Sequence, residues 1–188
     1  KGLTQEEVVK AALFGRNKFL SDLKEGKFSC ESGFNQNYYS NLILCCMRGD
    51  DNDEENIETI RTAAKYLKDS DGIVAIDLAG AEALFPTSKY ESLFEMAKAY
   101  KIPFTIHAGE AAGPDSIKKA VDYGASRIGH GVNCIHDKEL MHILAKKGIT
   151  LELCPTSNLN TKIVDDIMDY PIQEIIDNGI KVTINTDN

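Results

Sequence analysis

The chain has 188 residues, of which 43% are hydrophobic and 27% charged, and its net charge is −8. That length can bury a full-sized core without disulfides or oligomerisation, and no apolar run approaches the ~20 residues needed to cross a bilayer. Basic residues do not cluster and the balance is acidic, which argues against a nucleic-acid surface.

The opening "KGLTQEEVVKAALFG" is acidic and amphipathic, unlike the basic patch and apolar core of a signal peptide. Residues 26–39, "GKFSCESGFNQNYY", are the least regular stretch and predict a connection over the surface. Short apolar runs then follow one another. "NLILCCM" (41–47), "GIVAIDL" (72–78), "PFTIHA" (103–108), "RIGH" (127–130), "TLELC" (150–154) and "KVTINT" (181–186) read as strands. Their hydrophobicity is continuous rather than alternating, as in parallel strands covered on both faces.

Helical patterns fill the gaps. Ile57, Ile60, Ala64 and Leu67 share one face at helical spacing, as do Leu140, Ile143 and Leu144. Pro114 and Pro171 stand where first turns should begin, and Gly124, Gly148 and Gly179 where last turns should end. No linker or low-complexity segment interrupts this order, so residues 1–188 read as a single domain. The five cysteines, Cys30, Cys45, Cys46, Cys134 and Cys154, are odd in number and form no C-x-x-C. Cys45, Cys46 and Cys154 lie in apolar strand-like runs and read as reduced core thiols, which implies a cytoplasmic protein.

Strand and helix alternating through short connections predicts a parallel α/β sheet with right-handed crossovers. A doubly wound nucleotide binder usually has a glycine-rich phosphate loop after its first strand. Here that strand runs into "CCMRGDDNDEEN", which is acidic and wrong for phosphate. The reading is therefore a partial (β/α)8 TIM barrel with about six of eight βα units, since a whole barrel typically takes ~250 residues.

Chemistry in such a barrel sits at the C-terminal strand ends. Those ends supply Asp77 and Gly80, His107 and Glu110, His130, Cys154 and Ser157, then Asp187 and Asn188. Taken singly, each has an ordinary structural role: a satisfied histidine, a first-turn acid, a helix cap or a tight turn. Polar groups finishing five successive strands favour a metal-assisted hydrolytic site. His136 and His142 lie outside this set and are given no function.

At these strand ends the sequence resembles the adenosine deaminase family, in its bacterial form, within the metal-dependent amidohydrolases. The residues concerned are "VAIDLAGAE" (74–82), "IHAGEAAGP" (106–114), "RIGHG" (127–131), "LCPTSN" (153–158) and "INTDN" (184–188). The resemblance also takes in "LILCCMRG" (42–49) and the opening "GLTQEEVV". It implies zinc as cofactor, a purine nucleoside as substrate, and deamination of adenosine or deoxyadenosine in purine salvage. His107 would be a zinc ligand and Asp187 a further ligand that orients the attacking water. Glu110 would donate a proton to the purine ring, His130 would assist attack by the water, and Gly80 would bring its backbone against the purine. Asn188 matches a substrate-contacting position that is an aspartate in many members. Related aminopurines such as adenine, or a non-catalytic purine-binding barrel, are the alternatives. The family's first-strand His-x-His has no counterpart here, so the resemblance implies an internal portion of a longer enzyme. Such a portion by itself is expected to bind zinc poorly, to be inactive, and either to self-associate through open barrel edges or to be accompanied by the missing segment.

Overall fold

A computed structural model describes residues 2–28, 38–67 and 72–187. Cys30, most of the irregular stretch at 26–39, and Asn188 lie outside the described residues. Helix α1 (Gln5–Lys24) opens with a capping box: Glu7 N–H donates to the Thr4 hydroxyl at 3.2 Å, and Thr4 N–H donates to the Glu7 carboxylate at 2.8 Å. Strand and helix then alternate through β1 (Leu42–Met47), α2 (Asp53–Leu67), β2 (Ile73–Ala79), α3 (Glu91–Ala99) and β3 (Thr105–Ala108). The order continues with α4 (Pro114–Tyr123), β4 (Arg127–His130), α5 (Lys138–Lys147), β5 (Thr150–Leu153), α6 (Pro155–Asn160), α7 (Ile172–Asp177) and β6 (Lys181–Ile184).

All strand pairing is parallel and follows chain order. β1 pairs with β2, and β3 to β6 form a second run; a bridge between Ile76 and Phe104 connects the two. Each strand therefore points the same way, and all C-terminal ends lie along one edge. The punctuation read from the sequence is in place. Pro114 is the first residue of α4, and Gly124 and Gly148 end α4 and α5 in the left-handed region, at φ 92° and 67°.

The core lies between helices and sheet, built on Ile60, Ile76, Phe94, Ile106, Ile117 and Leu151. Three sequence expectations are corrected in detail. On α2 the buried face runs through Asn56, Thr59, Ile60, Ala63 and Ala64, with Ile57 and Leu67 at its margins. Asn56 earns its burial by donating to and accepting from the Met47 backbone at 2.9 and 2.8 Å. Nor are all strands covered on both faces: Ile43, Met47 and Val74 on β1 and β2, and Ile184 on β6, are exposed. These strands lie towards the two ends of the run, while β3 and β4 at its centre are almost wholly buried. Cys45 is likewise exposed, not core, whereas Cys46, Cys134 and Cys154 are buried; all four are free thiols. His136 ends a short 3-10 turn before α5.

Candidate active site

The site is assembled from the ends of β2, β3, β4 and β6. Asp77 on β2 faces the neighbouring strand, where its carboxylate oxygens lie 3.0 and 3.2 Å from His107 Nδ1. A carboxylate only accepts, so the His107 proton is held on Nδ1 and the Nε2 lone pair is left free. Burial alone would push the His107 pKa down. The Asp77 hydrogen bond, with the charges of Asp77, Asp187 and Glu110, leaves it above its ordinary value.

His130 ends β4 with a backbone φ of 58°, followed by Gly131 at 71°. Two consecutive left-handed residues turn the chain sharply, and the strain sits at a side chain that is 1% exposed. The ring centroids of His107 and His130 are 5.0 Å apart. Asp187, itself at φ 75°, closes the group from beyond β6: its Oδ1 is 3.7 Å from the Nε2 of each histidine. The Ser157 hydroxyl donates to Asp187 Oδ2 at 2.6 Å, fixing which oxygen faces inward. Burial would raise the Asp187 pKa, but Ser157 and the two histidines hold it below its usual value.

Glu110 lies one short turn beyond His107, and its Oε2 is 3.5 Å from His130 Nε2. The 109–112 turn that carries it is fastened from two sides. Glu82, 4% exposed, accepts the N–H groups of Gly109, Glu110, Ala111 and Ala112 at 2.8, 3.1, 2.9 and 3.0 Å, and the Ser116 hydroxyl at 2.5 Å. Asn133 donates to the carbonyls of Glu110 and Ala112 at 2.9 and 3.0 Å. Arg48, buried like Glu82, donates from Nη2 to the His107 carbonyl at 2.5 Å and from Nη1 to the Phe85 carbonyl at 2.6 Å. Its Nε is buried without a hydrogen-bond partner among the described residues.

The expected residues thus converge: Asp77, Gly80, His107, Glu110, His130 and Asp187 all line one open cavity of about 490 Å³. Gly80 is there with φ 107°, and a Cβ on it would stand 3.3 Å from the Arg48 Cβ, so both conformation and space call for glycine. Asn188 lies outside the described residues. Glu82, Asn133, Arg48 and Asn158 were not assigned from sequence. Glu82 and Asn158 do close two of the resemblant motifs, "VAIDLAGAE" and "LCPTSN", but a buried acceptor of backbone N–H groups has no spacing signature.

Ligand atoms from His107, His130 and Asp187 lie within 4.8 Å of one another. A neutral imidazole with its Nδ1–H on a carboxylate, beside an inward-facing carboxylate oxygen, is the donor chemistry zinc takes. The residues fit that metal.

Parallel strands with helical crossovers, ending in histidines and carboxylates around one cavity, define an amidohydrolase-type α/β protein. The chain belongs to the adenosine deaminase family, whose family model matches residues 2–188. Over its whole length it is 47% identical to an adenosine deaminase of Haemophilus ducreyi, covering 52% of that protein. Among solved structures it is similar to an adenine deaminase from Arthrobacter aurescens, with TM-score 0.69 and 30% identity over 78% of this chain and 44% of that one. A zinc-bound amidohydrolase from Burkholderia ambifaria matches with TM-score 0.67 over 84% of this chain and 44% of that one; at 21% identity this shows the fold alone. The chain spans about half the length of the curated relatives it matches.

Proposed function

We propose that this chain carries the proton-transfer half of a zinc-dependent site that deaminates adenosine and deoxyadenosine to the corresponding inosines and ammonia. The observation that carries the reading is the convergence of Glu110, His130, His107 and Asp187 on one cavity, in a chain 47% identical to an adenosine deaminase. We read the parallel strands as about six of the eight βα units of a TIM barrel. The outer edges of β1 and β6 would meet the remaining wall or, failing that, another copy. The thiols point to a reducing cytoplasm.

His107 and Asp187 are the residues that would hold zinc. When bound, the metal supplies positive charge that lowers the pKa of water from 15.7 to ~7. The chain's own residues do the rest. Asp187 and His130 hold the attacking water, with Asp187 oriented through Ser157. Glu110 delivers a proton to the purine ring nitrogen as the C–O bond forms and C6 becomes tetrahedral. The proton that the water gives up to Asp187 then passes to the amino group, and the C–N bond breaks to release ammonia. The place of Glu110 depends on the turn held by Glu82 and Asn133. Gly80 offers backbone at close range to the purine, and Asn188, by its match to the family's substrate-contacting position, would donate to the purine N7.

The test is steady-state turnover of adenosine and of adenine by the protein expressed from its complete reading frame, alongside Glu110→Gln. Adenosine should be preferred, and Glu110→Gln should lower kcat by about 10²–10⁴, the usual worth of general acid catalysis. Preference for adenine would overturn the substrate assignment. Absence of turnover on both would favour the non-catalytic reading.

A further inference from the structure

The two histidines of the cavity differ in what faces their Nδ1 atoms. His107 Nδ1 meets an acceptor, the Asp77 carboxylate. His130 Nδ1 meets the side-chain nitrogen of Asn158 at 3.1 Å. Asn158 is fully buried, and its amide is occupied at both ends. Its Oδ1 takes the Tyr170 hydroxyl at 2.9 Å, and its Nδ2 also reaches Glu110 Oε1 at 3.4 Å.

Nitrogen and oxygen of an amide are told apart by their partners. The phenolic hydroxyl of Tyr170 donates to Asn158 Oδ1, which marks that atom as the amide oxygen. With Glu110 ionised, as before it takes up the proton it delivers, the reversed amide would set Oδ1 against a carboxylate oxygen, acceptor against acceptor. The observed orientation instead gives each of the two Nδ2 protons an acceptor, His130 Nδ1 and Glu110 Oε1.

We infer that Asn158, locked by Tyr170, is a positioning residue that holds the neutral His130 ring with its proton on Nε2. His130 then faces the cavity as a hydrogen-bond donor. Its Nε2–H points towards Glu110 Oε2 and Asp187 Oδ1, both acceptors, at 3.5 and 3.7 Å. The consequence is a division of labour between two neighbouring rings. His107 offers a lone pair and belongs to the metal set. His130, although within 4.8 Å of the same atoms, has no lone pair to give and stays out of it.

The test reads the tautomers and not the reaction, so it can fail while deamination stands, and the reverse. Long-range proton–nitrogen NMR on the metal-free, ¹⁵N-histidine-labelled protein, at a pH where the rings are neutral, resolves the two tautomers, with His130→Gln assigning its signals. The expected result is Nε2–H at His130 by about tenfold or more, the bias of one buried hydrogen bond, and Nδ1–H at His107. Asn158→Asp puts an acceptor at Nδ1 and should transfer the proton there; Tyr170→Phe should erode the preference. An Nδ1–H tautomer in the unaltered protein would overturn the inference, and that spectrum decides even where a variant fails to fold. Unchanged Nε2–H in Asn158→Asp would overturn it equally, and an unchanged ratio in Tyr170→Phe would remove Tyr170 from it.

Discussion

Glu82 shows what a single buried side chain does for this site. Its carboxylate gathers four consecutive N–H groups of the turn that presents Glu110. Removing one partner of a buried hydrogen bond leaves the other unsatisfied, at about 1–3 kcal/mol per group. Glu82→Ala should therefore cost at least about 3 kcal/mol in urea unfolding. Glu82→Gln, which keeps the shape but turns one acceptor into a donor among donors, should fall between Ala and the unaltered protein. A Glu82→Ala stability within about 0.5 kcal/mol of the original, the range of ordinary surface changes, would contradict this account of the turn. That His107, Glu110, His130 and Asp187 meet at one cavity was legible in the sequence, because polar residues finish successive strands, although each singly has an ordinary structural role. Glu82, Arg48, Asn133 and Asn158 were not, because each works through backbone or ring atoms brought to it from 21 to 59 positions away.

At the scale of the elements, the strands were legible to within a few residues. Their apolar runs are short, and Gly, Asp or Pro closes them. The helix faces were less so: the pattern on α2 put Ile57 and Leu67 in the core, whereas the burial of Asn56 and Thr59 depends on hydrogen bonds to Met47, Glu55 and Gln5 that hydrophobicity does not report. β4 makes the connection from element to site explicit. Gly129 pairs with His107 across the parallel ladder, and a Cβ there would come within 2.9 Å of His107 Nδ1 and 3.0 Å of its Cγ. Those are atoms of a ring already fastened by Asp77, not the end of a flexible chain. Gly129→Ala should displace the ring, break its Asp77 contact and weaken zinc binding about 10–100-fold, as loss of an outer hydrogen-bond partner does. Far-ultraviolet circular dichroism should show the helices intact. Chelator competition giving an unchanged zinc affinity would contradict the close fit.

For the molecule as a whole, chain order and strand order coincide from β1 to β6, and that places every strand end on one edge. The sequence pattern could forecast this because short βα connections leave few topologies. It could not forecast the exposed faces of β1 and β6, which depend on what pairs with each strand and not on its own residues. The central claim is that His107 and Asp187 hold a metal on which hydrolytic deamination depends. The most direct measurement is adenosine turnover by the protein from its complete reading frame, stripped with chelator and then titrated with zinc, beside the same titration of His107→Ala. Activity should vanish on stripping and return with about one equivalent of zinc per active site, as a mononuclear catalytic site requires, while His107→Ala stays inactive over that range. Full turnover by the stripped protein, or a normal zinc titration by His107→Ala, would contradict the claim.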